Sequence, residues 1–141
     1  MSRLASDAKM GYYPTPMRSR IHISDFIAVA RGEGGATHAL DPCCGEGDAL
    51  ERALNYFSAA TWGIEQDIGR AMTATSNLNH VVQGSIFDAR INPLECMGLL
   101  WLNPPYMFQD GERAEMVFLK HAIKWLAPEG VLVFIVPEHV L

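Results

Sequence analysis

Residues able to do chemistry fall at four places in this 141-residue chain, each just behind an apolar run. The sharpest is Asn103-Pro-Pro-Tyr106, which follows Gly98-Leu-Leu-Trp-Leu102. Two prolines after a buried strand stop it and stiffen the backbone. The residue before a proline is pushed to an extended shape. The Asn103 side-chain oxygen and the Pro104 carbonyl can then point at one spot, with Pro105 holding the corner. Two acceptors converging on one NH₂ group suit an amine that must become more nucleophilic. Tyr106 adds a flat face on which a base taken out of its stack can rest. The bland alternative is a polar turn with a half-buried tyrosine.

The other three places suit a ligand with an amino-acid end, a ribose and a purine. Asp41-Pro-Cys-Cys-Gly-Glu-Gly-Asp48 has Gly45 and Gly47 where a tight turn brings backbone close to a ligand,. The helix start behind it offers free N–H groups to an anion such as a carboxylate. Asp41 can accept from an ammonium or from water. Glu65, followed by Gln66, comes about 20 positions past the glycines, where an acidic side chain can hold a ribose diol. Asp88 can accept from the amine of an adenine ring, and Ile86 or Phe87 can pack on its face. Each also has an ordinary reading, as a glycine-rich turn, a solvated strand end and a capped turn.

These places need a scaffold that lines up strand ends. Residues 18–31 read as a helix with Ile21, Phe26, Ile27 and Ala30 apolar. A βα alternation follows: strands at 36–40, 61–65, 80–83, 98–102 and 131–136, and helices at 48–57, 68–77 and 112–126. The stripe of the second helix is Leu50, Ala53, Leu54 and Phe57; that of the last is Met116, Leu119, Ile123 and Leu126. Strands alternating with helices imply an α/β, Rossmann-like, mainly parallel sheet covered on both faces. Ligands of such sheets bind beyond the carboxyl ends of the strands, where strand order reverses.

Composition narrows the setting. Hydrophobic residues are 49% of the chain and charged residues 19%, as in one globular domain,. The net charge of −5 argues against a domain that clamps nucleic acid by itself,. It is compatible with a catalytic domain that receives nucleic acid from another module. The one local basic cluster is Arg18 and Arg20. Cys43, Cys44 and Cys96 have no CxxC spacing, so no metal site is expected and the thiols are expected reduced. His22, His38, His80, His121 and His139 have no ligand spacing. Trp62, Trp101 and Trp125 are expected to pack the sheet. No run reaches the roughly 20 apolar residues of a membrane span. The first ten residues lack the apolar core of a secretion signal, which makes a cytoplasmic location the expectation.

In combination these residues resemble the class I S-adenosylmethionine-dependent methyltransferases, in particular the DNA adenine amino-methyltransferases of restriction-modification systems. In that family a D-P-x-C-G-x-G loop follows the first strand, an acidic residue ends the second, an Asp follows the third and N-P-P-Y follows the fourth. All four occur in order between Asp41 and Tyr106. Gly11-Tyr-Tyr-Pro-Thr-Pro16 is similar to the family's tenth motif, an aromatic before Thr-Pro. The resemblance implies a cofactor, S-adenosylmethionine, held by Tyr13, Thr15, Pro16, Asp41, Cys43, Gly45, Gly47, Glu65, Gln66, Phe87, Asp88 and Asn103. It implies methyl transfer to the exocyclic amine of adenine in DNA at Asn103, Pro104, Pro105 and Tyr106. It divides the chain into an N-terminal segment, 1–17, and a methyltransferase domain, 18–141.

Two alternatives stand beside this reading: a catalytically silent subunit that binds the cofactor, or an amino-methyltransferase acting on RNA or on protein. The family normally continues with two further strands and a target-recognition region. The run at 131–136 is therefore expected to be an apolar sheet edge. A fragment of a longer protein, or a sheet completed by a partner, is favoured over a natural minimal form.

Overall fold

The computed structural model describes residues 13–31, 38–54, 58–106, 108, 109 and 111–137. Among the described residues, seven strands and four helices follow one another along the chain. They are α1 (Met17–Arg31), β1 (His38–Asp41), α2 (Asp48–Ala53), β2 (Ala60–Glu65), α3 (Ile68–Ala74), β3 (His80–Gln83) and β4 (Met97–Leu102). Then come β5 (Phe108–Gln109), β6 (Glu112–Arg113), α4 (Ala114–Ala122), a 3₁₀ turn (Ile123–Trp125) and β7 (Leu126–Phe134).

Five strands form one sheet in the order β3-β2-β1-β4-β7, and every pair in it is parallel. The α/β, Rossmann-like reading holds. The chain winds outward from β1 to β3, then returns to β4 and β7 on the other side of β1. Strand order thus reverses between β1 and β4, whose carboxyl ends carry Asp41 and Asn103. That is where such sheets bind ligands.

Burial explains the central place of β4: all six of its residues are buried. Its side chains alternate between two cores, as a strand requires. Leu99 and Trp101 pack with Leu50, Leu54 and Ile27 under α1 and α2. Leu100 packs with Leu40, Ile64 and Trp125 on the α4 side. Trp101 and Trp125 lie in the core as expected, while Trp62 is half-buried and stacks on His80 at 3.9 Å.

Three expectations need correction. On α1, Ile21 and Phe26 are 60% and 65% exposed, whereas Arg20, Ser24 and Ile27 face inward. Polar partners on α2 explain this, since Ser24 donates to the Ala53 carbonyl at 3.2 Å and Arg20 pairs with Asp48. The helix expected at 112–126 starts at Ala114, because Glu112 and Arg113 pair with Gln109 and Phe108 around Gly111. Its buried face is Ala114, Glu115 and Ala122, and Met116 and Ile123 are exposed. The last strand begins at Leu126 rather than 131, and Pro128-Glu-Gly bulges out of its ladder. Met97 pairs with Leu126 and Leu99 with Val131, so four residues stand opposite one, and Glu129 takes a positive φ of 63°.

The remaining elements match closely. Helix α2 stops at Ala53, with Leu50, Ala53 and Leu54 buried, and α3 stops at Ala74. Phe57, the first two positions of the strand expected at 36–40, Gly11 and His139 lie outside the described residues, as does the side chain of Ala30.

Candidate active site

The glycine turn is built by backbone geometry. Gly45 and Gly47 have φ of 56° and 83°, a region that suits glycine,. Cys44 N–H donates to the Ile64 carbonyl at 3.0 Å and Gly47 N–H to the Cys44 carbonyl at 2.8 Å. The turn is thereby tied to the end of β2. It delivers the chain into α2 at Asp48, which pairs with Arg20 of α1.

Asp41 closes β1 and is 2% exposed. Its Oδ1 accepts from the Cys43 N–H at 3.1 Å. Burial, reinforced by the charges of Glu65 and Asp48, lifts its carboxyl from the ordinary 3.8 to about 8, against the lowering effect of the Cys43 N–H,. A buried carboxyl of this kind gains most when a cation arrives. Burial also pushes the Cys43 and Cys44 thiols up, which keeps them protonated and poor nucleophiles,. All three cysteines are free.

Glu65 ends β2, buried. Its Oε2 accepts from the Gly45 N–H at 2.9 Å. Its Oε1 accepts from Asp67 N–H at 2.8 Å and from Arg70 Nε and Nη2 at 3.2 and 2.8 Å. Three of these donors meet Oε1, while Oε2 accepts from the Gly45 N–H and keeps a second acceptor site,. Glu65 is the joint between the glycine turn and α3. Gln66 is exposed, and its carbonyl accepts from the Gln83 side chain at 2.7 Å.

The corner after β4 is held from far along the chain. Asn103 Nδ2 donates to the Tyr13 carbonyl at 2.9 Å and to Thr15 Oγ1 at 3.0 Å. The Tyr106 hydroxyl donates to Asn103 Oδ1 at 2.6 Å and to the Ile135 carbonyl at 3.5 Å. Burial raises the Tyr106 hydroxyl's pKa. The Tyr13 and Tyr106 rings lie nearly parallel, 15° apart in plane and 6.0 Å between centroids. The Asn103 oxygen expected to stand open beside the Pro104 carbonyl is therefore capped by Tyr106. Pro104 is buried and Pro105 half-buried.

These two regions meet. Cys43 of the turn and Asn103 of the corner line the same recess. This recess is shallow, open to solvent and lined by Pro14, Thr15, Asp41, Cys43, Asp48, Trp101 and Asn103 among others. Of the residues singled out in the sequence, Thr15, Asp41, Cys43 and Asn103 line it. Tyr13 and Tyr106 join through Asn103, and Gly45, Gly47 and Glu65 through the turn; Pro16 is exposed at the entry to α1. Phe87 and Asp88 follow β3, two strands from β1, and neither lines the recess. Asp88 sits in a turn whose Phe87 N–H is accepted by Ser85 Oγ at 3.2 Å. Phe87 packs edge-on against Phe118 and His121 of α4.

Sequence reasoning missed Asp48, Arg20, Arg70 and Trp101. Arg20 looked like half of a surface basic pair, yet it is a buried ion-pair partner. Arg70 lies in the first turn of α3, five residues past Glu65. Trp101 lines the recess, and its buried indole N–H finds no acceptor among the described residues. Such a donor is uncommon and suits a bound acceptor. Among the described residues, no group of three or more His, Cys, Asp or Glu side chains is placed to hold a metal ion. None of the helices is long and apolar enough to cross a membrane, again among the described residues.

Comparison with known proteins agrees with this architecture. A solved structure from Listeria monocytogenes, assigned to the class I S-adenosylmethionine-dependent methyltransferases, superposes with a TM-score of 0.78 at 14% identity. The match covers 92% of this chain and 48% of that one. A type I restriction-modification methyltransferase subunit from Streptococcus thermophilus gives 0.69 at 16% identity, covering 85% and 33%. An RNA methyltransferase from Salinibacter ruber, in complex with S-adenosyl-L-homocysteine, gives 0.59 at 20% identity, covering 82% and 72%. The chain thus spans about half the length of the first of these structures and a third of the second. No curated protein sequence matches it. The family model that matches residues 1–141 is described as an uncharacterised methyltransferase family, DUF6094, and the chain belongs to that family.

Proposed function

We propose that this chain forms the cofactor- and base-binding part of an S-adenosylmethionine-dependent methyltransferase acting on the exocyclic amine of adenine in DNA. The observation that carries the proposal is the position of Asn103. It stands at the strand-order reversal, lines one recess with Asp41 and Cys43 of the glycine turn, and has the Tyr106 hydroxyl on its oxygen.

The residues present fit the cofactor. Asp41 offers a buried acceptor for an ammonium, and Trp101 a buried donor without a partner among the described residues. The turn at Gly45 and Gly47 keeps backbone close to the recess. Glu65 would hold the ribose through Oε2, and Asp88 the adenine amine. When bound, S-adenosylmethionine supplies a methyl carbon already electrophilic through its sulfonium.

The chain's own part in the chemistry is to bind and orient. An aromatic amine is a poor nucleophile because its lone pair is delocalised. The Asn103 oxygen and the Pro104 carbonyl accept from it and stabilise the positive charge that grows on nitrogen during attack. For the substrate amine to reach Asn103 Oδ1, the Tyr106 hydroxyl must give way, leaving its ring to receive the base. Alignment of the reacting atoms supplies much of the remaining rate. The Streptococcus thermophilus subunit supports DNA as the substrate, and the net charge of −5 supports delivery of that DNA by another module,.

Transfer of a labelled methyl group to adenine-containing duplex DNA, to RNA and to a glutaminyl peptide tests the proposal. The expected product is N6-methyladenine in digested DNA. Asn103→Ala should keep cofactor affinity and lower the transfer rate by about 10²- to 10³-fold, as for the loss of one well-placed polar group. Label in RNA or peptide alone would overturn the DNA assignment. No cofactor binding by the folded chain would overturn the whole reading.

A further inference from the structure

Thr15 does more than line a wall. It lies outside regular structure and is only 5% exposed, and its Oγ1 accepts a hydrogen bond from Asn103 Nδ2 across 88 positions of sequence. The same nitrogen donates its second hydrogen to the Tyr13 carbonyl. A carboxamide carries two donor hydrogens on nitrogen and only acceptor sites on oxygen. With both hydrogens drawn to the N-terminal segment, the oxygen is turned the other way, where the Tyr106 hydroxyl meets it. Flipping the carboxamide would set its oxygen against the Tyr13 carbonyl, an acceptor that cannot donate. It would also set an NH₂ group toward the substrate amine, which itself needs an acceptor.

We infer that Thr15 is a positioning residue for the acceptor half of the reaction, holding the Asn103 carboxamide with its oxygen toward the substrate amine. The inference rests on the proposed role of Asn103 and adds that the N-terminal segment sets the polarity of that group. The Tyr13 carbonyl, which can only accept, disfavours the flip, and the Thr15 hydroxyl fixes the plane of the group by taking the second hydrogen,. Without the Thr15 hydroxyl, the second hydrogen loses its buried partner and the carboxamide swings more freely about its side-chain bond, so its oxygen is less often aimed at the substrate amine.

Thr15→Val keeps the shape of the wall and removes the hydroxyl; Thr15→Ser restores the hydroxyl on a smaller side chain. Each variant of the 141-residue chain is assayed for S-adenosylmethionine affinity by calorimetry and for kcat and KM on the acceptor the unaltered chain uses. Thr15→Val is expected to lower kcat by about 5- to 10-fold, the equivalent of one hydrogen bond. Thr15→Ser is expected to recover most of the rate. A second readout needs no turnover: the Asn103 side-chain amide protons, followed by NMR, should exchange slowly in the unaltered chain and in Thr15→Ser, and faster in Thr15→Val. If the chain methylates nothing, the functional proposal falls while the exchange measurement still decides the positioning role. Equal exchange in all three proteins overturns it. So does a Thr15→Val defect confined to cofactor affinity, or a Thr15→Ser variant as slow as Thr15→Val.

Discussion

The glycine turn after β1 and the Asn-Pro-Pro-Tyr corner after β4 sit side by side but are held in opposite ways. The turn is fastened to itself and to the next strand, through Gly47 N–H, Cys44 N–H and the Glu65 carboxylate. Its Asp41 and the Glu65 that ties it are buried. The corner is fastened by segments distant in sequence: Tyr13 and Thr15 at one end of the chain and Ile135 at the other. The difference predicts that damage to the turn appears first as lost stability. Damage to the corner appears first as lost chemistry in a chain that still folds.

The largest expected effect is on the turn's pH dependence. Asp41 binds its proton more tightly in the folded chain, with a carboxyl raised to about 8, than in an unfolded one. It therefore contributes stability fully at pH below about 4, and loses it as pH rises toward 8. The slope is at most about 1.4 kcal/mol per pH unit. Asp41→Asn should abolish that slope and leave the variant more stable than the unaltered chain at pH 8, while weakening cofactor binding. Urea melts at several pH values check this, and parallel pH profiles for the two proteins would break the comparison.

Next in size, Glu65→Ala removes the acceptor shared by Gly45, Asp67 and Arg70 and leaves buried donors behind. It should cost about 3 kcal/mol in denaturant melts. A cost under about 1 kcal/mol would mean the turn is not anchored through β2.

The smallest effect is expected at the corner. Tyr106→Phe removes the bond to Asn103 Oδ1 and should cost about 1 kcal/mol or less of stability,. The aromatic face remains, so acceptor binding should persist. A stability loss as large as that of Glu65→Ala would erase the contrast between the two regions.

The same contrast explains what the sequence reveals. The strand ends were legible because local rules decide them. A buried run stops at Asn103-Pro-Pro, glycines mark a turn, and β3 occurs at His80–Gln83 as its pattern implies. The inward face of α1 was not legible, because Arg20 and Ser24 are buried by their partners on α2, which no periodicity announces. The apolar spacing of Met116 and Ile123 misled for a related reason. A helix packed closely on a sheet buries its alanines, here Ala114 and Ala122. The glycine loop and Asn103 were recognisable as separate motifs. The orientation of the Asn103 carboxamide was not, since it depends on two residues some 90 positions away.

The bulge at Pro128-Glu-Gly bears on how this sheet meets other chains. Strand β7 is the end of the strand order among the described residues. A long, flat, apolar border invites indiscriminate strand addition. Here the border is broken by a proline that cannot donate and by a kinked residue, Glu129,. Only the four-residue stretch from Val131 to Phe134 keeps a regular ladder with β4. An incoming strand would therefore find a short landing strip in a single register, which favours one well-matched neighbour over self-assembly into fibres.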